Sequence, residues 1–174
     1  MYDTRVTQSE TEKTDFVPGL GRVSIRAVAE DEPRPKSSSI YEQWGEMAAE
    51  AREMRFLRWV VQMESVSGEI FQVGDMSAHV VWYGPTVTSK ALNIGISLVE
   101  EFRGKGIGSI AQRLLADEIH SLGYVRVEAQ TDVENIAEQK SLLRAGFELE
   151  GVARQSQGRV DGIHDLQVWS HIKI

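Results

Sequence analysis

The residues of this chain best suited to chemistry lie in one short run, Val99-Glu100-Glu101-Phe102-Arg103-Gly104-Lys105-Gly106-Ile107-Gly108-Ser109. Glycines and two cations there precede a segment in which Ile107, Ile110, Ala111, Leu114 and Leu115 recur at helical spacing. A glycine turn at a helix N-terminus leaves backbone N–H groups uncovered, and the helix dipole adds partial positive charge. Such a turn suits a phosphate or pyrophosphate. Its other use is tight packing alone.

Gly106-Ile107-Gly108-Ser109-Ile110-Ala111 also fits the G-x-G-x-x-G/A dinucleotide pattern, and Glu128 lies 22 residues beyond Gly106, where an acid would meet a ribose hydroxyl. The context speaks against it. Glu100, Glu101, Arg103 and Lys105 separate the glycines from the preceding strand, and only 46 residues follow Glu128, too few to complete a doubly wound sheet.

The elements that must hold this turn are legible in outline. Residues 1–18 are polar and aperiodic and are expected to form a tail, leaving 19–174 as one domain. Apolar alternation predicts a strand over Arg22–Val28, with Glu30–Ser39 a loop. Ser39-Ile40-Tyr41-Glu42 fits a capping box, which predicts a helix to about Met54. Phe56–Met63, Ile70–Tyr83 and Ala91–Val99 are predicted strands. After the helix that stops at Gly123 come strand Tyr124–Gln130 and helix Ile136–Arg144. A hairpin of Phe147–Gln157 and Ile163–Ile172 closes the chain. The class is mixed α/β, with more meander than crossover.

Composition narrows the options. The chain has 174 residues, no cysteine and a formal net charge of −7. Disulfides, thiolate metal sites and a cysteine nucleophile are therefore excluded, and no metal site is expected. The acidic balance argues against nucleic acid as partner. No apolar run is long enough for a membrane span and no leader-like segment opens the chain, so a cytoplasmic location is expected.

Arg103-Gly104-Lys105-Gly106-Ile107-Gly108 resembles the R/Q-x-x-G-x-G/A acetyl-CoA motif of the GNAT superfamily of N-acetyltransferases. Asn135-Ile136-Ala137, Lys140, Arg144-Ala145-Gly146-Phe147 and Glu150-Gly151 resemble that family's N-x-A…K-x-G-F-x-x-E-G segment, and Asn93-Ile94-Gly95-Ile96 resembles the strand before the first motif. The likeness runs from about Gly68 to Ile172, and the RimJ/RimL-type branch is the most similar.

The resemblance implies a central splayed, mostly antiparallel sheet of about seven strands flanked by helices, with acetyl-CoA as co-substrate between two strands. It implies that Arg103, Gly104, Lys105, Gly106, Ile107, Gly108 and Ser109 hold the pyrophosphate. The backbone of Ile96, Ser97, Leu98 and Val99 would pair with the pantetheine arm, the Leu98 amide serving as oxyanion donor. Asn135 would bond the same arm or cap its helix, and Lys140 would reach a phosphate or lie solvated. The implied activity is direct acetyl transfer to a primary amine of a small molecule or peptide N-terminus. The alternative is a non-catalytic acetyl-CoA-binding regulatory module. A homodimer fits the family.

Amine acetylation needs an acceptor for the ammonium proton, oxyanion donors and a donor for the departing thiolate. The family's usual tyrosine corresponds to Leu142. The RimL-like Ser and Glu correspond to Glu138 and Gln157, and the strand-borne acid of other branches corresponds to Asn93. The catalytic candidates left are Glu138 and His79, with Ser141 behind them. Glu138 either handles a proton or is a solvated partner of the helix dipole. His79 is either a general base or a half-buried strand histidine. Trp82, Tyr83 and Trp169 are expected in the core or pocket wall. His164 and Asp165, at the start of the last strand, are expected in structural or substrate contacts.

Overall fold

Apolar alternation decides which side of each strand is buried, and the buried sides assemble into one sheet. The structure, a computed structural model, describes residues 12–28, 32–35 and 38–173. Its strands are β1 (Lys13–Val17), β2 (Gly21–Ala27), β3 (Leu57–Ser65), β4 (Ile70–Trp82), β5 (Lys90–Leu98), β6 (Arg126–Asp132), β7 (Glu148–Arg159) and β8 (Gly162–Ile172). Helices α1 (Ile107–Ser121) and α2 (Ile136–Arg144) lie between them in sequence. The sheet order is β1-β2-β3-β4-β5-β6-β8-β7, and every pair is antiparallel except β5–β6.

One face carries the core. Val23 and Ile25, Trp59 and Val61, Met76 and Ala78, and Leu92 and Ile94 are buried there. α1 packs onto it with Ile107, Ala111, Leu114, Leu115 and Ile119. Each such large aliphatic chain contributes roughly 1.5–3 kcal/mol by leaving water. By the period of two, the opposite face of the central strands is polar. His79, Asn93 and Glu128 form one row across β4, β5 and β6, with Ser77 and Gly95 next and Asp75 and Ser97 beyond on β4 and β5.

The parallel pair is short. It joins Leu92 to Val127, Asn93 to Glu128 and Ile94 to Ala129 and then stops. Beyond it β5 follows β4 as far as Leu98, while β6 follows β8 as far as Asp132. The two strands splay, and the gap between them is the site described below.

Two sequence expectations need correction. Residues 13–17 are not tail but an edge strand paired to β2; residues 1–11 lie outside the described residues. β1 has no apolar period, and ion pairs fasten it to α1: Lys13 to Glu118 at 3.4 Å, and Asp15 to Arg113. The helix expected from Ser39 to Met54 is absent, replaced by short 3₁₀ turns at Ile40–Glu42 and Glu50–Glu53. Ser39 does cap, accepting from the Tyr41 N–H at 3.2 Å. Ile40, Trp44 and Met47 are all exposed, so no apolar face stabilises a longer helix.

At the far end of α1, buried His120 sets Nδ1 2.7 Å from the Tyr124 carbonyl and Nε2 2.9 Å from His171 Nδ1. Burial, then the neighbouring His120, holds the His171 pKa below its ordinary value. The folded chain resists a proton that the unfolded chain accepts near pH 6.5. Stability is thus intact above about pH 6.5 and falls as pH drops below it. Thermal unfolding at pH 7.5 and 5.5 should show a smaller acid-induced decrease in His171→Gln than in the parent; an equal decrease would contradict this assignment.

Candidate functional site

The splay opens a cleft of about 1070 Å³ between β5 and β6, reaching from the glycine turn to the polar sheet face. Gly104 (φ +71°) and Gly106 (φ +83°) are left-handed, a conformation that glycine adopts without penalty. A Cβ at either would meet nothing within 4 Å, so the space above the turn is open. Gly106 precedes α1 and no side chain caps that helix. The first-turn amides therefore lack intrahelical acceptors beside the cleft. Gly108 serves packing as well, since a Cβ there would stand 3.1 Å from Ser141 Oγ on α2.

The two cations of the turn are placed differently. Arg103 lines the cleft, its Nε donating to the Leu98 carbonyl at 2.9 Å and its Nη2 to the Ser38 carbonyl at 2.6 Å, which braces the turn. Lys105 lies over the Phe102 ring at 5.6 Å and does not line the cleft. Neither does the side chain of Ile107, which is in the core, nor Val99, whose N–H donates to Val73 at 2.9 Å. Lys140 does line the cleft, and so does Arg144, which the sequence reading passed over.

The β5 wall presents Ile96, Ser97 and Leu98, and the pairing of β5 with β6 stops at Ile94. An extended ligand can bond to such an edge as an added strand would. Across the gap Asn135 caps α2, its Oδ1 accepting from the Glu138 N–H at 3.3 Å.

Glu138 lines the cleft and is half-buried. Burial pushes its pKa up to about 7, against a smaller downward influence from the Gln112 hydrogen bond. A carboxyl with a pKa there is partly protonated at neutral pH.

His79 is not brought to this place. It lies beyond Ser77 on β4, edge-on to Phe56 with centroids 5.4 Å apart, and does not line the cleft. Burial lowers its pKa. Asp75, on the same strand face, does line the cleft. Its pKa is raised by burial and drawn down by Arg34 and Arg58. Trp82 and Tyr83 are exposed rather than core, and Tyr83 donates to buried Glu128. Trp169 is buried as expected.

A polar girder closes the β6 side. Buried Asp132 accepts from Arg159 Nη1 at 2.7 Å and stands 3.0 Å from His164 Nδ1. Gln157 accepts from Arg159 Nε at 3.0 Å. Asp165 accepts from the Gln155 N–H at 2.7 Å. The strap 38–44 crosses the gap: Glu42 accepts from Ser97 at 3.4 Å, and Tyr41 donates to the Glu134 carbonyl at 3.3 Å. Asp132→Ala strands a buried guanidinium and should destabilise the fold by about 3–5 kcal/mol in denaturant titrations. A loss under about 1 kcal/mol would mean that Arg159 finds solvent or another partner.

A family model described as an acetyltransferase (GNAT) domain matches residues 12–148. Comparison with curated proteins gives no match. Among solved structures, Mycobacterium smegmatis RimJ in complex with CoA-disulfide is similar at TM-score 0.66 and 19% identity, with 92% of this chain and 86% of that one covered. RimL, a ribosomal alpha-N-protein acetyltransferase in complex with coenzyme A, is similar at TM-score 0.55 and 24% identity, covering 70% and 63%. The microcin C7 self-immunity acetyltransferase MccE, in complex with acetyl-CoA and AMP, gives TM-score 0.56 and 24% identity, covering 68% and 61%. The chain thus spans less than two thirds of RimL and MccE. At these identities the likeness is one of fold.

Proposed function

The chain belongs to the GNAT acetyltransferase family, and from that premise we propose that it transfers an acetyl group from acetyl-CoA directly to a primary amine. The observation that carries this reading is the uncapped, glycine-lined N-terminus of α1 opening onto the gap between β5 and β6. Such a turn suits a pyrophosphate, and the stretch of β5 past Ile94, where its pairing with β6 stops, suits a pantetheine arm. Both parts of the cofactor therefore have a fitting counterpart in this chain. Gly104, Gly106 and the first-turn amides of α1 would hold the pyrophosphate, with Lys140 and Arg144 as cations on the rim. Ile96, Ser97 and Leu98 would bond the arm through their backbone. Arg103 contributes by bracing the turn.

Acetyl-CoA supplies the activated thioester. The chain's own residues supply proton handling and placement. Glu138 is the proton donor, because it alone among the lining carboxyls combines burial with a pKa of about 7. Asp75 offers the amine a half-buried carboxylate on the sheet face, able to attract the ammonium and take its proton. The acceptor is the amine of a small molecule or of a peptide N-terminus, and a net charge of −7 suits cationic acceptors of either kind.

Calorimetric titration with acetyl-CoA tests the cofactor assignment. Saturable binding at one site is expected, weakened when salt screens the phosphate contacts. No heat of binding at physiological concentrations would refute it.

A further inference from the structure

α1 and α2 meet behind the cleft, and the polar groups between them form one line. Gln112 on α1 is 1% exposed, deeper than an amide sits without a reason. Its Nε2 donates to Glu138 Oε1. Its Oε1 accepts from the Ser141 hydroxyl at 2.8 Å, and Ser109 Oγ stands 3.4 Å from Ser141 Oγ. Gly108 lets the helices come this close, its missing Cβ leaving room beside Ser141. Both ends of the buried amide are thus engaged, and Glu138 meets it through Oε1.

We propose, on the basis of Glu138 acting as the proton donor described above, that Gln112 and Ser141 are positioning residues that keep the proton on Glu138 Oε2, facing the cleft. The chemistry is one of polarity. Because Gln112 approaches as a donor, Oε1 can only accept, and the carboxylic proton must reside on the other oxygen. The Ser141 hydroxyl holds the amide in that orientation by donating to its carbonyl. A flipped amide would present its carbonyl to Glu138 and accept a hydrogen bond from the carboxylic proton, turning it away from the cleft.

The surroundings leave this contact in control. The first turn of α1 brings no acidic side chain. Lys140 and Arg144 of α2 are exposed on the rim, and Asp132 of β6 is engaged by Arg159 and His164. Burial and the Gln112 bond are the two influences on the carboxyl, the second favouring its charged form.

Carbon-13 NMR of protein labelled at glutamate carboxyls reads this directly, the Glu138 signal being the one missing from Glu138→Gln. The parent midpoint is expected near 7. Gln112→Met, similar in shape but without a donor, should raise it by about one pH unit. Ser141→Ala should also raise it by freeing the amide to flip, and Ser141→Thr should restore the parent value. An unchanged or lowered midpoint in folded Gln112→Met would overturn the proposal, as would an ordinary carboxyl midpoint in the parent. Should Gln112→Met not fold, the Ser141 pair decides: equal midpoints in Ala and Thr overturn it. Shifted midpoints together with undiminished acetyl transfer by Glu138→Gln would uphold the positioning and overturn only the donor role.

Discussion

Gly106→Val is expected to lose acetyl-CoA binding by about 10²–10⁴-fold while remaining folded. The backbone at Gly106 has φ +83°, and a β-branched residue is strongly disfavoured there. Relieving the strain rotates the turn and redirects the amides that open α1. Each charge-assisted bond lost contributes roughly 1.5–3 kcal/mol, and two such losses give the stated range. Nothing lies within 4 Å of a Cβ at this position, so the fold itself is little disturbed. Gly104→Val should behave similarly, whereas a distant exposed change such as Val66→Ala should not. Calorimetry for affinity and thermal unfolding for integrity check both halves. Parent-like affinity in Gly106→Val would remove the turn from the cofactor site.

Glu138→Gln has two expected effects that no bland surface glutamate would produce together. Turnover falls about 10²–10⁴-fold, the usual scale for a proton-transfer group, while acetyl-CoA affinity is kept. Stability moves the other way. The folded carboxyl has a pKa of about 7 against an ordinary 4.5, so ionising it opposes folding. Its contribution is fully present below about pH 4.5 and is lost as pH rises through 7. The glutamine variant escapes that loss and should be more stable than the parent at pH 8, by up to about 3 kcal/mol, and no more stable at pH 4.5. Glutamine keeps the acceptor that the Gln112 amide needs. Paired pH-dependent unfolding and single-turnover measurements separate the two effects. Turnover within a few-fold of the parent would leave Asp75 or ordered water to handle the protons.

Much of this architecture is written locally in the chain. The strands from Phe56 onward follow apolar alternation, and α1 follows the Ile107–Leu115 stripe, because each segment's own pattern matches the face it buries. The glycine turn was legible for the same reason, since its conformation needs those residues whatever surrounds it. What escaped depends on partners far away in sequence. β1 is held by Glu118 and Arg113, roughly a hundred residues downstream. The Ser39–Met54 segment satisfies a local capping rule, yet it pairs with Arg159 and Ser97 instead of forming a helix. Arg103 lines the cleft, but its bonds to the Leu98 and Ser38 carbonyls could not be read from the turn alone.

The site divides along the same line. Glu138 is legible from its place after Asn135, but its raised pKa follows from burial and its bond to Gln112 from the meeting of α1 and α2. Gln112 had one visible signal, a polar residue set among Ala111, Leu114 and Leu115. His79 was chosen by residue type, and type does not say how far along a strand the cleft extends. Asp75 gave no sign, because its role depends on which face of β4 borders the splay.

Release of free thiol from acetyl-CoA in the presence of a broad panel of primary amines and basic N-terminal peptides tests the central claim most directly. Thiol release above background is expected with at least one acceptor, matched mole for mole by acetylated amine and much reduced in Glu138→Gln. Saturable acetyl-CoA binding without release across the whole panel would contradict it and identify the chain as a non-catalytic acetyl-CoA-binding module.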